Sequence, residues 1–159
     1  MKGAPAFAAS PAGRAQINPM VIMAFDYGDV RTGVAVCDKM EMLASPVAVV
    51  RERDQAKLIE KLLPLIAEKE PELLVVGLPK NMDGSLGFRA QACLAFAEAL
   101  SERSGIGHEM VDERLSSVMA HAALHQAGKK EKKHGAVVDA VAATEILDRF
   151  LTWRKNASK

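Results

Sequence analysis

Apolar positions along the chain change their period several times, and each change marks an element. From Val21 the run V-I-M-A-F ends on Asp26, a turn rich in glycine and charge follows, and a second apolar run from Gly33 to Cys37 returns. Short apolar runs bounded by turn residues read as strands, and two joined this way as a hairpin. Ala44 to Arg51 is apolar and β-branched, a third strand whose Pro46 suits a sheet edge or a strand start. Three strands without an intervening helix predict an antiparallel meander. From Asp54 to Glu70, Leu58, Ile59, Leu62, Leu63 and Ile66 follow a helical period, and Pro64 is expected to kink or break that helix.

Leu73 to Gly77 predicts a short buried strand, Gly77 to Gly87 a loop, and Ser85 to Ser104 a second helix with Ala92, Phe96, Ala99 and Leu100 facing inward. His108 to Glu113 predicts a fifth strand ending in two acids. Ser116 or Ser117 can cap a third helix ending near Gly128, and a basic loop, Lys129 to His134, leads to a last helix from about Ala136 to Trp153. The order β-β-β-α-β-α-β-α-α predicts an α/β domain with a mixed five-stranded sheet. Three strands are antiparallel, and two reached by crossover helices run parallel to the first, which is central and flanked by Leu73 to Gly77.

Composition narrows the class. At 159 residues, 49% hydrophobic and 26% charged, the chain has the size and balance of one soluble domain, expected over residues 21–155. A net charge of +1 excludes a global cationic field, so nucleic-acid binding must rest on a local patch. Two cysteines, Cys37 and Cys93, placed in a strand and a helix, fit buried thiols of a cytoplasmic protein better than a disulfide scaffold. No apolar run approaches the roughly 18 residues that span a bilayer, so no membrane partner is expected. Residues 1–20 hold three prolines and two glycines, with Pro5, Pro11 and Arg14 interrupting any signal-peptide core, and read as a disordered extension.

The candidate chemistry is acidic. Asp26 ends the first strand, where Asp-x-Gly also favours a turn by bonding its own backbone. On the last helix Asp139 heads a face with Ala142, Ala143, Ile146, Phe150 and Trp153, and a carboxylate on an apolar stripe calls for a partner. With Glu113 or Asp112 from the fifth strand, three carboxylates can meet if the last helix packs across the first and fifth strands. Like charges so placed raise one another's pKa unless a cation compensates, and hard oxygen ligands without His or Cys select Mg²⁺ or Mn²⁺. Two such ions about 4 Å apart activate water and stabilise the leaving oxygen of a phosphodiester, which describes a nuclease.

Other residues fit a phosphate-handling cleft. Gly28 permits a tight turn beside Asp26, and Arg31, Lys80, Asn81 and Arg89 can hold a nucleic-acid backbone, although the Gly77 loop lacks the P-loop pattern. Lys129, Lys130, Lys132 and Lys133 form the dense basic run, just before Asp139. His121 and His125 stand at i, i+4 without the glutamate of a zinc-protease motif.

Four motifs in order resemble one family. They are Asp26-Tyr-Gly-Asp-Val-Arg31-Thr-Gly33, then Val76-Gly-Leu-Pro79 with Asp83-Gly-Ser85 and Gly87, then Val111-Asp-Glu113-Arg-Leu-Ser116, then Val138-Asp139-Ala-Val-Ala-Ala143. Over about residues 21–152 the chain is similar to the YqgF/RuvX family. That resemblance implies an RNase H-like fold related to Holliday-junction resolvases, a nuclease of pre-16S rRNA in ribosome biogenesis, and metal-binding, catalytic acids at Asp26, Glu113 and Asp139. It favours Glu113 over Asp112, a choice that strand alternation leaves open, and adds Arg114 to the substrate-binding candidates. Asp29 and Val30 depart from the Thr-Lys common in the family at this turn, removing a positive charge and adding an acid, which puts phosphate contact there in doubt but not the fold.

Three rivals stand beside this reading: a resolvase of branched DNA, an RNA-binding protein of the same fold without turnover, and an actin-like ATP-binding phosphotransferase. The last needs two such lobes, and the chain has room for one. A phosphate binder without turnover would gain from Lys or Arg where the acids stand. The expected partners are pre-rRNA or branched DNA, with pre-ribosomal particles behind the former. A resolvase should be a homodimer, whereas an rRNA trimmer can be a monomer.

Overall fold

The computed structural model describes residues 19–113 and 135–157, the side chains of the second segment from Ala140 onward. The expected helix from Ser116 or Ser117 to Gly128, the basic loop and residues 1–18 lie outside the described residues.

Five strands, β1 (Ile22–Asp26), β2 (Arg31–Cys37), β3 (Ala44–Arg51), β4 (Leu73–Leu78) and β5 (His108–Asp112), form one sheet in the order β3-β2-β1-β4-β5. β1 is central as expected, antiparallel to β2 (Asp26 opposite Gly33) and parallel to β4 (Phe25 opposite Val76). β4 pairs in parallel with β5, placing Gly77 opposite Val111. On the outer edge β3 pairs with β2, and the register shifts between Val34 and Ala35, where Ala35 faces Pro46. An irregular site on an edge strand tolerates the N–H that proline lacks.

Side chains alternate across this sheet, and each face has its own helices. Ile22, Ala24, Leu73, Val75 and Val111 pack with Ala143, Ile146, Leu147 and Phe150 of the last helix, α3 (Gly135–Ala157). Met23, Phe25, Val34, Leu74 and Val76 pack on the opposite face against α1 (Gln55–Lys69) and α2 (Phe88–Ser104). Burying both faces of β1 and β4 explains their continuous apolar runs. Fully buried side chains such as Phe25, Phe96 and Leu74 each contribute about 1.5–3 kcal/mol through water removed from apolar surface.

Several boundaries differ from the sequence expectation. Pro64 does not break α1, which runs unbroken from its Asp54 cap, whose carboxylate accepts from the Lys57 N–H at 2.9 Å, to Lys69. Pro64 and Glu60 both lie on the exposed side, where water can serve the carbonyl that proline leaves without a donor. α2 begins at Phe88 rather than Ser85, because Ser85 is engaged in the preceding loop with Asp83 and Asn81. Its buried stripe is Ala90, Cys93, Phe96, Ala97 and Leu100, with Ala92 and Ala99 only partly covered. α3 continues to Ala157, and Trp153 is 46% exposed, stacked on Phe150, because the buried stripe passes instead through Leu151 to Arg154.

Arg154 closes the pole of the sheet where β1 begins. Only 4% exposed, it donates from Nε and Nη2 to both carboxylate oxygens of Glu41, at 3.0 and 2.8 Å. Glu41 also accepts from the Met20 N–H at 2.8 Å and holds a left-handed backbone (φ 57°) in the turn between β2 and β3. Beside it the Cys37 thiol accepts from the Ile22 N–H and donates to the Met20 carbonyl. Both cysteines are free and buried.

Candidate active site

The carboxyl ends of β1, β4 and β5 share one edge of the sheet, and the acids stand there. Asp26 is the last residue of β1 and has the parity of Ile22 and Ala24, which places it on the α3 face. Val111 of β5 also faces α3, so Asp112 falls on the other face and Glu113, just past the strand, returns to the α3 face. Alternation thus separates the two acids once the position of α3 is known. Asp112 is 3.6 Å from the Lys80 ammonium, an ion pair joining the ends of β4 and β5.

Gly77 makes room for Glu113. A Cβ at this position would stand 2.3 Å from Oε2 of Glu113 and 2.7 Å from Cδ1 of Ile146. In the sequence alone Gly77 reads as the boundary between a strand and a loop. The signal available was a glycine inside an otherwise apolar strand, which marks the close approach of another group. Burial and then the negative charge of Asp26 push Glu113 above the ordinary carboxylate range, while the guanidinium groups of Arg149 and Arg89 pull it back. Asp26 and Glu113 are therefore close enough to repel within a partly dry site.

Asp139 belongs to the first turns of α3, and its side chain lies outside the described residues. Ile146 reaches Gly77 and Arg154 reaches Glu41 at the opposite pole, so α3 runs with its N-terminal end toward the acid edge. Among the described residues no group of three His, Cys, Asp or Glu side chains is gathered as a metal would need. The donor chemistry of Asp26 with Glu113 nevertheless fits a hard divalent cation, because both ligands are oxygen and their mutual repulsion calls for positive charge.

The turn after Asp26 is shaped by Gly28, where a Cβ would stand 2.2 Å from the Arg31 carbonyl oxygen. Arg31 is the exposed first residue of β2, at the same edge as Asp26. Arg89, in the first turn of α2, reaches over this turn. It donates to Oδ1 of Asp29 at 2.8 Å and to the Tyr27 carbonyl, and its guanidinium lies 5.0 Å from the centre of the Tyr27 ring. That ring is in turn stacked on Phe96 at 4.3 Å. One turn along α2, burial pushes the Cys93 thiol up to about 11, with the charge of Arg89 opposing and those of Glu113, Asp26 and Asp29 adding.

Asn81 is held inside its loop, its backbone N–H donating to the Ser85 carbonyl at 3.0 Å and its amide to Oγ of Ser85 at 3.0 Å. The loop presents Met82 to solvent, 94% exposed, and Phe88 at the start of α2 is 89% exposed. Arg114, Lys129, Lys130, Lys132 and Lys133 lie outside the described residues. No helix among the described residues is long and apolar enough to cross a membrane.

Comparison with known proteins agrees with this architecture. A family model described as RuvX, Holliday junction resolvase, matches residues 20–153. A protein of Natranaerobius thermophilus named "Putative pre-16S rRNA nuclease" is 40% identical over 137 residues, covering 86% of this chain and 97% of its own. One of the same name from Halothermothrix orenii is 41% identical over 135 residues, 85% and 96% of the two chains. The crystal structure of the fowlpox virus Holliday junction resolvase superposes with a TM-score of 0.50 at 12% identity, over 86% of this chain and 99% of that one. At that identity the likeness is one of fold, the RNase H-like arrangement of three antiparallel and two parallel strands. With the family match spanning the whole sheet, most of α3, and both Asp26 and Glu113, the chain belongs to the RuvX family.

Proposed function

We propose that this chain is a divalent-metal-dependent endonuclease that hydrolyses phosphodiester bonds in structured nucleic acid, with the precursor of 16S rRNA as its substrate. The observation that carries the reading is the pair Asp26 and Glu113, drawn together on the α3 side of the strand ends with Gly77 left bare beneath them. The nuclease name carried by relatives about 40% identical over nearly their whole length supports the substrate.

In this reading Asp26, Glu113 and Asp139 hold Mg²⁺ or Mn²⁺. When bound, the metal lowers the pKa of water toward neutrality and offsets charge on the leaving oxygen. The residues themselves set the stage. Asp26 and Glu113, repelling each other in a partly buried site, favour a cation over protonation near neutral pH. Arg89, Lys80, Asn81 and Arg31, with Gly28 shaping the turn, line the edge along which a backbone would run. Arg114, Lys129, Lys130, Lys132 and Lys133 are further candidates for holding the backbone, on the strength of their charge in the sequence. The partner is nucleic acid, within pre-ribosomal particles in the cell, and the setting is cytoplasmic.

A second reading, resolution of branched DNA by a homodimer, is favoured by the family's own description. Purified protein incubated in parallel with a pre-16S rRNA fragment and a four-way DNA junction, with and without Mg²⁺, separates the two. RNA cleavage that needs Mg²⁺ and falls by orders of magnitude in Asp26→Asn and Asp139→Asn, while affinity is retained, supports the first. Paired symmetric cuts in the junction alone support the second. Asp139→Asn cleaving at the wild-type rate would remove the three-carboxylate site.

A further inference from the structure

The Asp29 side chain is 83% exposed, yet it makes a 2.8 Å ion pair with Arg89, 60 residues away. Arg89 does not depend on that pair for its position. The Tyr27 carbonyl accepts from its other terminal nitrogen, and the Tyr27 ring, itself stacked on Phe96, supports the guanidinium from below. Arg89 is thus a cation fixed on two sides and closed on a third by an exposed acid, over the turn that follows Asp26.

We propose that Asp29 stands in for a phosphate of the nucleic-acid backbone, occupying Arg89 in the free protein and yielding the guanidinium to that phosphate on binding. The inference deepens the nuclease reading and rests on it. Asp29 engages Arg89 through one oxygen, Oδ1 on Nη1, while Nη2 stays on the Tyr27 carbonyl, and a phosphodiester oxygen is an anionic acceptor of the same kind, so one can replace the other without a change in the position of Arg89. The exchange is easy because an ion pair open to water is weak. Asp29 thus sets affinity by occupying Arg89, not by placing it.

The test is a double-mutant cycle of binding, read by anisotropy of a fluorescein-labelled RNA hairpin with a single-stranded 5′ extension, in chelator so that no turnover occurs. Asp29→Asn should tighten binding about two- to fivefold, the range of an exposed ion pair no longer in competition. Asp29→Glu, which keeps the charge, should return the wild-type affinity. In an Arg89→Met background, which keeps the alkyl stem against Tyr27, Asp29→Asn should have no effect. Equal tightening in both backgrounds would mean simple charge repulsion and overturn the proposal, as would no tightening with Arg89 present. Thermal melting of each variant separates these outcomes from loss of fold. If the wild-type chain binds neither the hairpin nor a four-way DNA junction, the nucleic-acid reading falls and this inference with it.

Discussion

Oε2 of Glu113 occupies the volume that a side chain at Gly77 would need, 2.3 Å from where its Cβ would be. Gly77→Ala must therefore move the carboxylate, Ile146 or the strand. Overpacking of this kind costs about 1–3 kcal/mol. Urea denaturation should show that loss, and cleavage measured under folded conditions should fall further than stability explains, because Glu113 is displaced from Asp26. An alanine variant as stable and as active as the native protein would contradict the close approach.

The raised pKa of Glu113 has a definite pH signature when no metal is present. Burial and Asp26 lift it above its ordinary 4.5, so the folded chain holds this proton more tightly than the unfolded chain. Stability then falls as pH rises from the ordinary value through the folded one and remains reduced above it. Glu113→Gln lacks the titration. With chelator present it should be more stable than the native protein at neutral pH, and the advantage should disappear below the ordinary value. Urea midpoints across a pH series check both the sign and the window.

Burial holds both thiols at about 11. Since the thiolate is the reactive form, an aromatic disulfide reagent should leave Cys37 and Cys93 unmodified in the native protein at neutral pH. After denaturation both should react. Rapid modification of the native chain, followed by absorbance, would show that α2 or β2 opens far more readily than its packing implies.

The Arg154–Glu41 pair is nearly dry, and removing one member leaves a buried charge without its partner. Arg154→Ala should cost about 3–5 kcal/mol. The double variant Arg154→Met with Glu41→Gln should recover part of that loss, because neither charge is then stranded. Denaturant titration of the three proteins gives the coupling directly.

Strand order and the central position of β1 were readable because both faces of β1 and β4 are buried, which leaves continuous apolar runs that survive inspection of one sequence. Helix boundaries were less readable. Ser85 has the character of a helix cap, but Asp83 and Asn81 claim its hydroxyl first, and no periodicity reports that competition. Trp153 fits the apolar stripe by spacing, whereas the stripe turns toward Arg154 because Glu41, 113 residues earlier, supplies its partner. At the site, residue type and strand-end position pointed to Asp26 and to Glu113 or Asp112, and the family resemblance favoured Glu113. The choice between Asp112 and Glu113 needed the face on which α3 packs, and the roles of Gly77 and Asp29 needed contacts between elements far apart in sequence.

Glu41 binds the backbone where the chain enters β1, at Met20, and the side chain where α3 nears its end, at Arg154. The chain entering β1 and the last turns of α3 are therefore neighbours, separated from Asp26 by the length of β1, about 16 Å at 3.3 Å per residue. A polypeptide fused before Met20 or after Ala157 leaves from the same pole, so an affinity handle or a fluorescent reporter at either end should not obstruct the acid edge. The same proximity lets a short linker join the two ends and a new opening be cut in the exposed turn between β3 and α1, giving a permuted chain whose cleft is assembled in a different order of synthesis.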